Sequence, residues 1–208
     1  KDPEAMPLHR GMSLIIVPFK SPGITMNPTY TMFGERANDV FYDNVEVPVK
    51  NRIGEENRGF YIIMEDLEYE RTFTAAWNQR RLEDFVSYVK MKHLENDPIV
   101  RQNLARFAAE IEVGRLIYWR IGCLLNKGKG LLYEGTVDKI FLSELEQRLS
   151  SLFLDTAGLQ GLLKEGSPYA LLSGEIELQA RQSTIESVWG GTNEICRNVL
   201  ASRVLGLR

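Results

Sequence analysis

The sequence predicts a mainly α protein, an antiparallel four-helix bundle preceded by a few β-strands from an incomplete β-domain. Three observations carry this. Before about position 53 the apolar residues come in short alternating runs broken by Pro, Gly and Asn, whereas after Gly54 they recur every three or four positions. The helical stretches are long and their connections short, which favours antiparallel packing. Three short strands with no partner sheet are not stable alone, so the front segment reads as the end of a sheet begun upstream. The expected division is 1–52 for the β portion and 53–208 for the bundle.

Each element follows from local pattern. Met12 to Pro18 is a β-branched apolar run closed by proline, and Thr29 to Phe33 is a weaker strand. Asp39 to Val47 alternates through Val40, Tyr42, Val45 and Val47, and Pro48 ends it. Pro22-Gly23, Asn27-Pro28 and Asp43-Asn44 mark the turns between them. A first helix carries Phe60, Ile63, Met64, Leu67, Thr74 and Trp77 on one face. Asp97-Pro98 is an N-cap with proline at N1, opening a second helix through Val100, Leu104, Phe107, Ile111, Gly114, Tyr118, Ile121 and Leu125. After the Lys127–Gly130 loop a third carries Val137, Phe141, Leu145, Leu149, Leu152 and Thr156. Gly158 to Pro168 is a loop, a fourth helix spans about Ser173 to Val188, and the last spans about Thr192 to Val204.

Composition narrows the function classes. With 208 residues, 44% hydrophobic, 25% charged and a net charge of −3, the chain can bury a sizeable core. It has no basic excess to suggest nucleic acid. No apolar run approaches the roughly 20 residues that span a bilayer, and no signal-like apolar region follows Lys1. Cys123 and Cys196 are isolated, so no metal site is expected, and both are expected to stay reduced. His9 and His93 lie in polar contexts and read as solvated.

Four segments in register resemble the acyl-CoA dehydrogenase family. Gly11 to Ile24 is similar to late strands of its middle β-domain, and Asn38 to Pro48 to the strand leading into its helical domain. Ile53-Gly54-Glu55-Glu56-Asn57-Arg58-Gly59-Phe60 resembles the helix entry, and Gly190 to Leu207 the C-terminal signature. The similarity covers essentially the whole chain; an upstream helical domain and the first half of the β-domain belong to the family pattern as well.

The resemblance implies FAD-dependent oxidation of an acyl-CoA thioester to the trans-2-enoyl-CoA. It implies electron-transfer flavoprotein or a similar acceptor and a homo- or hetero-oligomer, in the bacterial cytoplasm or, in a eukaryote, the mitochondrial matrix. In most members the catalytic carboxylate occupies the position that is Gly190 here. A minority, resembling the isovaleryl- and long-chain-specific enzymes, carry it at the position of Glu70 in Glu-Tyr-Glu-Arg-Thr (68–72), with a small residue at the other site. Glu70 is thus the expected base. It needs a dry setting that raises its pKa and donors aimed at the thioester oxygen, of which the Gly190 N–H is one. Arg71 and Trp189 match substrate-binding positions, and Thr192 and Glu194 positions near the flavin. The residues by themselves leave blander readings open: Glu70 paired with Arg71 or Thr74, Arg71 a surface cation, Trp189 plain core, and Thr192 an N-cap.

The sequence departs from the family in two places. The usual Arg-x-x-Phe-Gly segment, which meets the neighbouring subunit's FAD pyrophosphate, is replaced by Lys90–Pro98, where Lys92 is the nearest cation and lacks a guanidinium fork. Asp155 to Gly161 keeps the glycines of a Gln-containing motif but not its glutamine in register. Family branches with such changes work as two unlike subunits. The alternative reading is therefore a site-completing subunit of a hetero-oligomer.

Overall fold

The structure is a computed structural model that describes residues 1–207. It is mainly helical with a few short antiparallel strands, and divides into two compact units, 1–67 and 68–208. The sequence-expected boundary at 52/53 falls inside the first.

In the first unit, β1 (Leu14–Ile15) pairs antiparallel with β4 (Arg52–Ile53), while β2 (Ile24–Tyr30) and β3 (Arg36–Tyr42) form a separate hairpin. The strand expected over Asp39 to Val47 starts earlier and stops at Tyr42. The reason is the partner: β2 begins at Ile24, and the Asp43 N–H already bonds the Gly23 carbonyl at 2.9 Å, so Val45 and Val47 have no strand to pair with. Gly23 adopts φ +88, and a Cβ there would lie 2.1 Å from the Asp43 carbonyl oxygen. His9 is half-buried against Phe60 at 4.6 Å between ring centroids, not solvated as its polar neighbours suggest.

Helix α1 (Gly59–Glu70) ends where the sequence pattern predicts continuation into α2 (Ala76–Met91). Threonines break it. The Thr72 hydroxyl donates to the Glu68 carbonyl, and the Thr74 hydroxyl accepts from the Ala76 N–H at 3.3 Å. Thr74 and Trp77 therefore do not share a helix face with Glu70.

Helix α3 (Pro98–Asn126) starts as expected, with the Asp97 carboxylate accepting from the Ile99 and Val100 N–H groups. Helix α4 (Glu134–Ala157) packs against α2, α3, α5 (Glu175–Glu186) and α6 (Asn193–Arg203). Gly114 lets α3 approach α4, since a Cβ there would sit 2.6 Å from Leu142 Cδ2. The core collects Phe85, Phe107, Ile111, Leu145, Leu149, Phe153 and Ile176, with Phe85 and Phe153 stacked at 4.6 Å. Tyr118 and Leu125, on the expected apolar stripe of α3, stay partly exposed. Among the described residues no helix is long and apolar enough to cross a membrane.

Candidate active site

The second unit joins the end of α1 to the loop before α6 through one side chain. Arg71 is only 3% exposed. Its Nε donates to the Gly190 carbonyl at 2.7 Å, and its Nη1 to Glu68 Oε1 and Thr136 Oγ1, both at 3.2 Å. Arg71 is thus no surface cation, and its carboxylate partner is Glu68, two positions from the one expected. A buried ion pair is favourable only when its remaining hydrogen-bonding capacity is met. Here it is met: Glu68 also accepts from the Thr136 hydroxyl at 2.7 Å and the Thr136 N–H at 3.2 Å. The second contact caps the first turn of α4, whose own N-cap, Tyr133, gives no side-chain bond. Gly135 makes the approach possible, because a Cβ there would lie 2.0 Å from the Glu68 carbonyl oxygen.

Two further buried groups hold the same region. The fully buried Asp138 accepts from the Phe73 N–H at 2.7 Å, while its other oxygen has no partner among the described residues. Burial pushes its carboxyl up to about 7, against the pull of the Phe73 N–H. Lys139, also fully buried, donates to Asn193 Oδ1 at 2.6 Å, and burial lowers its pKa. Asn193 in turn bonds Ser143 and Glu144, fastening the start of α6 to α4.

Within this frame the sequence-nominated residues fall in different settings. Glu70, the last residue of α1, is exposed, and no protein group pairs with its carboxylate among the described residues. Gly190 has φ +63 and half-buried backbone; among the described residues no group accepts its N–H. A Cβ on Gly190 would meet only Arg71 Cγ at 3.7 Å, whereas one on Gly191 (φ +98) would press on Arg71 Nη2 at 2.9 Å. Trp189 is half-exposed, lies parallel to Phe73 at 6.4 Å between centroids, and donates from Nε1 to Glu186 at 3.1 Å. Thr192 caps α6 through the Ile195 N–H. Glu194 is exposed; its own backbone N–H and the Thr192 hydroxyl hold its carboxyl below the usual range. Lys92, at the end of α2, donates to Gln160 at 3.3 Å and lies 5.9 Å from the Tyr88 ring centroid.

The structure therefore brings Arg71, Gly190 and, through the chain, Glu70 together. Sequence reasoning missed Glu68, Thr136, Asp138, Lys139 and Asn193. A signal was present: Asp138 and Lys139 are charged residues inside the apolar pattern of α4, between Val137 and Phe141.

Comparison with known proteins identifies the family. Residues 57–205 match the family described as acyl-CoA dehydrogenase, C-terminal domain. The acyl-CoA dehydrogenase FadE26 of Mycobacterium tuberculosis is 32% identical over 96% of this chain and 52% of its own length. Among solved structures, a Tcur3481–Tcur3483 steroid ACAD superposes with TM-score 0.89 at 32% identity, over 100% of this chain and 54% of that one. The ChsE4–ChsE5 complex from Mycobacterium tuberculosis follows with TM-score 0.86 at 31% identity, over 98% and 55%. The chain spans about half the length of these relatives. By the family matched, and by a helical fold shared with these solved structures, the chain belongs to the acyl-CoA dehydrogenases, whose C-terminal domain it carries.

Proposed function

We propose that the protein containing this chain oxidises an acyl-CoA thioester to the trans-2-enoyl-CoA, with Glu70 as base and the Gly190 N–H as a donor to the thioester oxygen. The Arg71–Gly190 contact carries this reading. It anchors the Gly190–Gly191 peptide next to an N–H that no described residue accepts, and a preorganised N–H is what stabilising charge that develops on an oxygen requires. The carboxylate of Glu70, immediately before Arg71, is likewise uncommitted. In the reaction the α-carbon gives its proton to the Glu70 carboxylate, and the electrons it leaves form the new double bond. FAD, when bound, would supply the acceptor for the hydride that leaves the β-carbon.

The residues present suit that cofactor. Thr192 supplies a hydroxyl and Glu194 a low-pKa acceptor for ribityl hydroxyls or ring N–H groups. Lys92 supplies a point charge for a phosphate. The open space at Gly190 suits a bulky acyl group, in keeping with relatives named for steroids. We place the upstream half of the protein around the exposed Glu70, where it would dry the carboxylate and raise its pKa. Electron-transfer flavoprotein or a similar acceptor would remove the electrons, in the bacterial cytoplasm or the mitochondrial matrix.

The second reading, a site-completing subunit of a hetero-oligomer, is favoured by Lys92. A single exposed cation already bonded to Gln160 is a weak substitute for a bidentate guanidinium on a pyrophosphate, and the similar ChsE4–ChsE5 assembly has two unlike chains.

The test uses the full-length protein purified alone. Bound flavin that a panel of acyl-CoAs bleaches, with bleaching slowed by about 10²–10⁴ in Glu70→Gln, is the expected result. Bleaching that survives this substitution would mean another base. Absence of retained flavin would favour the hetero-oligomer. The 208-residue chain alone is expected to be inactive.

A further inference from the structure

A cavity of about 450 Å³ opens in the helical unit beside Trp189, with Phe73, Thr74 and Trp77 on its rim. Its volume is in the range of small-molecule sites, but its deeper lining is unusual for a hydrocarbon chain. Asn78, Ser143 and Glu146 are buried in it beside Leu142, and Arg81, Glu175, Gln182 and Glu186 add to the wall. Part of this polarity is already used. Arg81 is ion-paired with Glu146, which also accepts from Asn78 at 2.8 Å.

Gln182 and Glu186 are not used up. They stand one turn apart on α5, so they share a face. Glu186 takes one hydrogen bond, from Trp189 Nε1 to Oε2, and its other oxygen has no donor among the described residues. The Gln182 amide makes no hydrogen bond among the described residues. Three carboxylates, Glu146, Glu175 and Glu186, face one guanidinium across the cavity. An anionic tail would be repelled, and a plain alkyl tail, though it would cover the Phe73, Trp77, Leu142 and Trp189 surfaces, would leave these polar groups without a partner. A hydroxyl meets both needs, because it donates to a carboxylate and accepts from an amide N–H.

We propose that the Gln182–Glu186 pair reads a hydroxyl carried by the acyl skeleton far from the thioester, so that the preferred substrate is a hydroxylated, bulky acyl-CoA. This assignment rests on the dehydrogenase reading for what enters beside Trp189, but it makes a separate claim about recognition.

The experiment measures binding as well as turnover on the full-length protein, with its partner subunit if one is needed. Three CoA thioesters of one ring-bearing skeleton are compared, carrying at the distal ring a hydroxyl, a ketone or hydrogen only. Dissociation constants come from calorimetry and flavin reduction from absorbance. The hydroxylated compound is expected to bind at least about tenfold tighter than the deoxy compound, the discrimination a buried polar partner supplies. Glu186→Gln should narrow that gap, and Gln182→Leu should narrow it independently, covering the case in which one variant fails to fold. Equal affinity of hydroxyl and deoxy compounds in the wild type overturns the proposal. A preference for the ketone overturns the role of Glu186, because a ketone donates nothing. Selective binding of the hydroxylated compound without any flavin reduction would sink the dehydrogenase reading and leave the cavity assignment standing.

Discussion

Two arginines ten positions apart divide the helical unit into a closed region and an open one. Arg71 is held through Nε and Nη1 by one carboxylate, one hydroxyl and one carbonyl, all within 3.2 Å. Arg81 sits against a surplus of carboxylates around a cavity, with a free amide beside them. The difference separates two uses of buried charge. Where a guanidinium is held by a carboxylate, a hydroxyl and a carbonyl, charge fixes geometry. Where carboxylates outnumber the guanidinium around an open cavity, the surface can receive a group that donates.

The largest expected effect comes from breaking the closed region. Arg71→Ala leaves the Glu68 carboxylate buried without its cation, which typically costs about 3–5 kcal/mol. Urea unfolding should show that loss, and Arg71→Lys should recover only part of it, because an ammonium has no planar fork to reach Glu68, Thr136 and Gly190 together. A variant as stable as wild type would show that the region is not closed in the sense argued.

Asp138 is the exception inside the closed region, with one oxygen bonded and one orphaned. Its folded-state carboxyl titrates near 7, against 3.8 for an ordinary aspartate. Between those values the unfolded chain has already lost the proton that the folded chain keeps, so stability falls as pH rises through this window and is flat again above it. The full span corresponds to about 4 kcal/mol. Asp138→Asn can still accept from the Phe73 N–H and carries no charge, so its unfolding midpoint should lack this fall between pH 4 and pH 7. An unchanged pH profile in the variant would assign the loss elsewhere.

These residues also show how much the sequence discloses. Helix α3 was legible because its signals are local, an Asp97 cap, proline at N1 and a run of apolar residues at helical spacing. The N-cap at Thr192 was legible for the same reason. The end of α1 was not, because its periodicity runs on past Glu70 while two threonine hydroxyls, bonding locally, stop the helix. The Glu70–Arg71 pair and Gly190 came from resemblance, and the Arg71–Gly190 bond, spanning 119 positions, has no local signature. Periodicity also hides the partner of Arg71, since Glu68 and Glu70 differ in sequence context far less than in burial.

The adjacent glycines sharpen the contrast at smaller cost. Gly191→Ala sets a Cβ 2.9 Å from Arg71 Nη2 at φ +98, so backbone strain and displacement of the guanidinium add, for roughly 1–3 kcal/mol. Gly190→Ala meets only Arg71 Cγ at 3.7 Å and should cost about 1–2 kcal/mol, mainly from its left-handed backbone. Differential scanning calorimetry would rank the two, and a reversed order would mean that Arg71 yields more easily than its hydrogen bonds imply.

The smallest stability change belongs to the residue with the largest proposed catalytic effect. Glu70 is exposed and pairs with no protein group among the described residues, so Glu70→Gln should alter unfolding stability by less than about 0.5 kcal/mol. Glu68→Gln, two positions away, removes the charge that balances buried Arg71 and should be costly. Measured side by side, the pair isolates what each carboxylate is for. If Glu70→Gln destabilised the chain as much as Glu68→Gln, Glu70 would be another strut of the closed region, and a base free to take a proton would have to be sought elsewhere.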